Sequence, residues 1–204
     1  MAKLFLVRHG KSAWNKLGLW TGWTDVDLDE DGIEEARKAG EILKNEQIDV
    51  VYTSELKRTH QTFVKIKETI EKPELTHTIH GALNERHYGV YTGKNKWQIK
   101  EDVGEEQFQA MRRGWDVKIP EGETLKDVYA RVMPYYEANI KKDLMAGKNV
   151  LVVAHGNTLR ALAKHLENLD EVQIQEIEFE TGAVHAYHFD HEGKVTHKET
   201  KTGK

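Results

Sequence analysis

Cysteine is absent from this chain, which excludes disulfides, thiolate metal sites and a cysteine nucleophile. No apolar run reaches the ~18 residues of a membrane span, so no membrane partner is expected. Positive charge is not in excess: a formal net charge of −4 at pH 7 argues against broad nucleic-acid binding, which needs a basic surface. Any cationic patch must therefore be local. Repeats, linkers and low-complexity tracts are also missing, and 204 residues suffice for one sizeable core, so a single domain over 1–204 is expected. Met1-Ala2-Lys3 runs straight into a strand, leaving no room for a signal peptide, and the expected location is the cytoplasm.

Against these absences stands one unusual stretch. Leu4-Phe5-Leu6-Val7 reads as a strand buried on both faces, as in a parallel sheet covered by helices, and it empties into Arg8-His9-Gly10. His9 then sits at the carboxyl end of the strand, the edge where open α/β sheets bind ligands. Gly10 permits a tight turn and close approach to a ligand, and Ser12 can cap a helical turn whose free N–H groups favour an anion. The pattern recurs at Val150-Leu151-Val152-Val153-Ala154-His155-Gly156-Asn157. If the two strands lie side by side, both imidazoles meet at one crevice.

Between them, the loop from Lys16 to Leu28 is held by Trp20 and Trp23, and its Thr21-Gly22 offers a hydroxyl and a free amide to a phosphate or carboxylate. Asp29 or Asp31 caps a helix whose inner stripe is Ile33, Ala36, Ala39, Gly40 and Leu43. Ile48 to Ser54 is the next strand of a right-handed βαβ unit, which places Arg58 at the same sheet edge as His9. Glu74 to Ile79 reads as a further strand. Leu83 to Lys96, crowded with acid, cations and phenols between glycines, reads as a functional loop. Gly104 divides two helical pieces, the second ending in Arg112-Arg113, either a solvated helix end or an anion clamp. One long helix is expected from Leu125 to Met145, kinked at Pro134, then a strand from Asn149 to Ala154 and a helix from Thr158 to Glu167. Ala183 to Phe189 and Lys194 to His197 form a hairpin, with Lys198 to Lys204 frayed. The fold class is α/β: a three-layer α-β-α sandwich, its sheet mostly parallel with an antiparallel edge strand.

Two imidazoles, several arginines and one loop carboxylate, without cysteine or a Walker-type glycine loop, suit phosphoryl transfer. A neutral imidazole is a competent nucleophile at phosphorus, and arginines neutralise the charge spread over the transferring group. His9 is the nucleophile on this reading. Arg8, Arg58 and His155 hold the phosphoryl oxygens with Asn15 and backbone amides, and Glu85 is the general acid and base.

On these residues the chain resembles the cofactor-dependent phosphoglycerate mutases of the histidine phosphatase superfamily, over nearly its whole length. The likeness lies in Arg8-His9-Gly10 with Ser12, Trp14 and Asn15; in Thr21-Gly22-Trp23; in Leu83 to Gly89; in Lys96 after Gly93; in Arg112-Arg113; and in Ala154-His155-Gly156-Asn157. It implies a phosphoglycerate mutase-like fold and interconversion of 2-phosphoglycerate and 3-phosphoglycerate, primed by 2,3-bisphosphoglycerate through a phosphohistidine at His9. It also implies that Thr21, Gly22, Glu85, Tyr88, Lys96, Arg112, Arg113 and Asn157 bind substrate, and it draws Gly10, Lys11, Ser12, Arg86, His87 and Gly156 into the same set. Lys96 and the arginine pair then read as clamps for a carboxylate and a second phosphate.

Three departures stand out from the family pattern: Lys11 where Glu or Gln is common, a short segment between Trp115 and Glu123, and a brief C-terminal tail. The alternative is a histidine phosphatase acting on a small phosphorylated metabolite. No metal is expected, because His185 and His188 of the evenly spaced trio with His191 point to opposite faces of a strand. The partners implied are small phosphoglycerates, in a monomer or homodimer.

Overall fold

The computed structural model describes residues 1–203. Along the chain run β1 (Lys3–Arg8), α1 (Ala13–Lys16), α2 (Glu30–Leu43), β2 (Val50–Thr53), α3 (Lys57–Thr69), β3 (Thr78–Ile79), α4 (Lys96–Val103), α5 (Glu105–Arg113), α6 (Leu125–Tyr135), α7 (Lys141–Met145), β4 (Val150–Ala154), α8 (Gly156–Leu166), α9 (Gln173–Glu176), β5 (Val184–Phe189) and β6 (Val195–Lys201). The period of two along the central strands sorts their side chains between two helical layers. Leu4 and Leu6 of β1 join Val150, Val152 and Ala154 of β4 beneath α6, α7 and α8. Phe5 and Val7 join Leu151 and Val153 beneath α2 and α3. A strand buried on both faces must be apolar at every position, and that is the run read from the sequence.

The sheet order is β3-β2-β4-β1-β5-β6. β3, β2, β4 and β1 are mutually parallel, with Leu4 opposite Val150 and Arg8 opposite Ala154. β5 runs antiparallel to both β1 and β6. The architecture is thus the expected mostly parallel sandwich, but the strand reversed against the rest is β5, and the edge strand β6 again points the way of β1.

Four local readings need correction. The strand expected from Glu74 shrinks to Thr78–Ile79, because Leu75 N–H closes a turn onto the Lys72 carbonyl and its backbone is not free for the sheet. The helix from Leu125 to Met145 is unbroken along the chain but not uniform in type. Pro134 has no N–H to give its preceding turn, and Tyr136–Ile140 adopts π-helical pairing between α6 and α7.

In α2, capped by Asp29, the inner face starts at Gly32, and Ile33 is 46% exposed. The cause is a backbone-to-backbone contact with the His9 turn. A Cβ on Gly10 would stand 2.1 Å from the Gly32 carbonyl oxygen, and one on Gly32 would stand 2.0 Å from that of Lys11. Gly10 therefore admits a helix rather than a ligand. Finally, the tail is not frayed at Lys198: β6 continues to Lys201, with Lys198 paired to Glu167 and Lys201 to Glu46 at 2.8 and 3.0 Å. Of the expected frayed stretch, Lys204 lies outside the described residues.

Candidate active site

β1 and β4 are neighbours at the middle of the sheet, and the connections that leave them go to opposite sides, β1 onward to β2 and β4 onward to β5. Such a switch point opens a crevice at the carboxyl ends of the strands. His9 and His155 both stand there. The His9 backbone N–H donates to the Ala154 carbonyl at 2.9 Å, continuing the ladder one residue beyond the strands. The two rings meet edge to face, 4.9 Å between centroids.

The tautomer of His9 follows from its partner. Its Nδ1 lies 2.7 Å from the Gly10 carbonyl oxygen, which can only accept, so the proton is on Nδ1 and Nε2 keeps its lone pair. Burial, reinforced by the guanidinium groups of Arg58 and Arg8, holds the pKa of His9 well below the usual histidine value. The ring is therefore uncharged at physiological pH. His155 is depressed in the same direction by burial, then by Arg58 and His9. Its Nε2 meets Ser54 Oγ at 2.8 Å, while Nδ1 is buried without a protein partner.

A cavity over His9 is lined by Arg8, Asn15, Thr21, Gly22, Arg58, Glu85, Tyr88, Lys96, Arg112, Arg113, Gly156 and Asn157, all read from the sequence as site residues. Its polar groups are short of acceptors. Arg58 spends two nitrogens on the carbonyls of Gly22 and Thr24, and Arg8 spends one on Phe179, yet Nε of both is buried and unpartnered. Thr21 Oγ1 and the indole Nε1 of Trp20 are likewise orphaned. Buried donors are rarely left so, and an anion with several oxygens is the group that would satisfy them. Burial lowers Arg58 to about 10, which still leaves it charged.

Glu85 is supplied by the loop between β3 and α4 and held at one oxygen only. Oε1 accepts from the backbone N–H groups of Arg86 and Asn157 and from the Asn157 amide, at 2.8, 3.3 and 3.1 Å. Oε2 is left for exchange with a ligand. Arg131 supports the loop from behind, donating to the carbonyls of Ala82 and Glu85 and to the Glu123 carboxylate. Across the cavity, Trp20 packs against Tyr88 and Phe108, with Lys96 over the indole and Arg112 over Phe108. Burial and the charges of Arg112 and Arg8 bring Lys96 down to about 8.

Six residues read as site residues do not line this cavity. Lys11 turns outward to Asp31 at 3.0 Å, so its extra charge does not reach His9. Ser12 is consumed in a capping box with Asn15. Gly10 packs on α2, as described. Arg86 is buried and donates to the carbonyls of Met111, Val117 and Glu123, fastening the short segment after α5. His87 packs edge-on to Trp23 beside Glu121. His155 packs against the His9 ring without lining the cavity, its Nε2 engaged by Ser54 and its Nδ1 unpartnered. Of these contacts only the Ser12 cap is visible in residue type and spacing.

Sequence reading missed Arg160, Ile177, Glu178 and Phe179, and took Trp20 for a loop fastener alone; all five line the cavity. Arg160 had a signal, since it follows Asn157 by three residues on α8 and must share its face. Its guanidinium is spent on Asn157 and on the carbonyls of Arg113 and Ile174. Glu178 and Phe179 lie in the segment between α9 and β5, which has no period to read.

Comparison with known proteins places this geometry in a lineage. The model of the histidine phosphatase superfamily, branch 1, matches residues 4–201. The chain is 45% identical to a phosphoglycerate mutase of Schizosaccharomyces pombe, over 96% of this chain and 94% of that one. It is 41% identical to a 2,3-bisphosphoglycerate-dependent phosphoglycerate mutase of Treponema denticola, covering 96% and 90%. Among solved structures it is similar in fold to a mycobacterial glucosyl-3-phosphoglycerate phosphatase, with a TM-score of 0.84 at 24% identity, covering 99% and 98%. With a family model spanning almost all of its length and relatives of this identity, the chain belongs to the histidine phosphatase superfamily, branch 1.

Proposed function

We propose that this chain interconverts 2-phosphoglycerate and 3-phosphoglycerate, in glycolysis and gluconeogenesis, through a phosphohistidine at His9. Residues 1–204 act as one cytoplasmic domain in this reading. The names of the relatives support it, and the observation that carries it is the second set of cations. Lys96, Arg112 and Arg113 line the same cavity as His9, Arg8 and Arg58. A plain phosphatase has to hold only the transferring phosphoryl group, whereas a mutase must grip a carboxylate and a second phosphate while the ligand reorients. The orphaned donors of Arg8, Arg58, Thr21 and Trp20 fit a multiply anionic priming ligand, and 2,3-bisphosphoglycerate supplies the phosphoryl group that primes His9.

His9 Nε2 attacks phosphorus while Nδ1–H stays bound to the Gly10 carbonyl, which shares the positive charge that develops on the ring. Arg8 and Arg58 neutralise the equatorial oxygens of the loose transition state. Glu85 gives its proton from Oε2 to the leaving alkoxide and takes it back from the attacking hydroxyl, while Asn157 and the Arg86 amide keep Oε1 in place. His9 is 3% exposed, so water reaches the phosphorylated nitrogen poorly.

A coupled assay on 3-phosphoglycerate, with and without catalytic 2,3-bisphosphoglycerate, tests the reading. Isomerisation dependent on the bisphosphate is expected; release of inorganic phosphate without isomerisation would overturn it in favour of a phosphatase. The pH dependence adds a second check. Lys96 is charged at pH 7 and loses its proton as pH rises through about 8. The KM for 3-phosphoglycerate should therefore climb on the order of tenfold above that pH, the worth of one charge-assisted hydrogen bond. In Lys96→Arg the climb should disappear, and a KM rising equally in both proteins would remove Lys96 from the clamp.

A further inference from the structure

Among the described residues, Glu178 is the one acid besides Glu85 on the cavity wall. Its Oε2 lies 3.0 Å from an Arg113 Nη, and Arg113 donates its other Nη to the Gln175 carbonyl at 3.4 Å. Two sides of the cavity can be told apart by the helices that supply them: the His9 turn is tied to α3, which carries Arg58, by the Gly10 N–H to Thr62 Oγ1 at 3.0 Å, whereas Glu178 is tied to Arg113 at the end of α5. His9 feels Arg58 and Arg8. Glu178 feels Arg113, Arg8 and Arg112, which hold its carboxyl below the usual range. Arg8 stands between the sides, and its Nη1 donates to the carbonyl of Phe179, the residue next to Glu178, at 3.0 Å. Glu178 is thereby placed on the α5 side of the cavity, with Arg113, and not on the α3 side with Arg58.

The Glu178 side chain is 57% exposed, so its pair with Arg113 is worth little and is easily displaced. We infer that Glu178 is a built-in counterion for the remote half of the site: it occupies Arg113 while that half is empty and gives way to the second anionic group of the ligand. It is a specificity-determining residue that acts through Arg113. By competing for this arginine it weakens the hold on ligands carrying two phosphate-like groups more than on ligands carrying one, and so lets a bisphosphate leave or turn. The inference rests on the mutase reading only for the class of ligand, a vicinal bisphosphate.

Binding without turnover separates the two ideas. Ethylenediphosphonate carries two phosphonates on adjacent carbons and has no transferable phosphoryl group; inorganic phosphate reaches one end alone. Titration calorimetry should show Glu178→Gln binding ethylenediphosphonate about fivefold more tightly than the unaltered protein, with inorganic phosphate changed less than about twofold. Adding Arg113→Gln should abolish the gain, and thermal melting of each variant establishes that it is folded. Equal tightening of both probes would mean a general field effect and overturn the inference, as would no tightening, or a gain that survives Arg113→Gln. The isomerase assay on the unaltered protein answers separately whether the mutase reading stands.

Discussion

His9→Ala should lower turnover by a factor on the order of 10⁴ to 10⁶, the loss that follows when a covalent nucleophile is removed while the binding groups remain. No neighbour can take its place. His155, the nearest imidazole, does not line the cavity, and its Nε2 is engaged by Ser54. The variant should also fail to take up label from bisphosphoglycerate carrying a radioactive phosphoryl group, whereas the unaltered protein should give an acid-labile, base-stable phosphoprotein. Cations and Glu85 stay in place, so the variant should still bind phosphoglycerate. Labelling that persists in His9→Ala would move the nucleophile elsewhere and dismantle the proposed cycle.

Glu85→Gln should cost about 10²- to 10⁴-fold in kcat, the usual range for a positioned general acid, with KM changed far less. The amide oxygen of glutamine can still accept from Asn157 and from the Arg86 N–H, so the loop should keep its place. What is lost is the exchangeable proton on the other oxygen. The diagnostic comparison varies the leaving group: p-nitrophenolate departs without protonation, so dephosphorylation of p-nitrophenyl phosphate should suffer much less than turnover of phosphoglycerate. Equal losses on both substrates would make Glu85 a binding group and leave the acid unidentified.

Much of the site was legible in the sequence because its parts sit at strand ends. An apolar run buried on both faces identifies a central strand, the residue after it must lie at the ligand edge, and two such runs ending in His-Gly bring His9 and His155 together. Arg58 was legible by the same logic. The reading overreached where a motif was taken whole. Gly10, Ser12 and Arg86 belong to the same short stretches as His9 and Glu85, yet they serve a helix contact, a cap and three buried carbonyls. Neighbours along a chain share a location but not a direction, and only side-chain geometry separates a ligand-facing group from one that supports it.

What the sequence determined by itself, then, is the class of fold, the two central strands that end in His-Gly and the chemistry such ends can perform, because periodicity and residue type act locally. Tertiary structure alone decided three things: which way β5 runs against β1, where the protons of His9 reside, and that Glu178 comes to stand beside Arg113, 65 residues away along the chain. The first and last depend on contacts between segments distant in sequence, which leave no period to display; the second depends on how the His9 ring turns toward the adjacent Gly10 carbonyl, which residue type does not set.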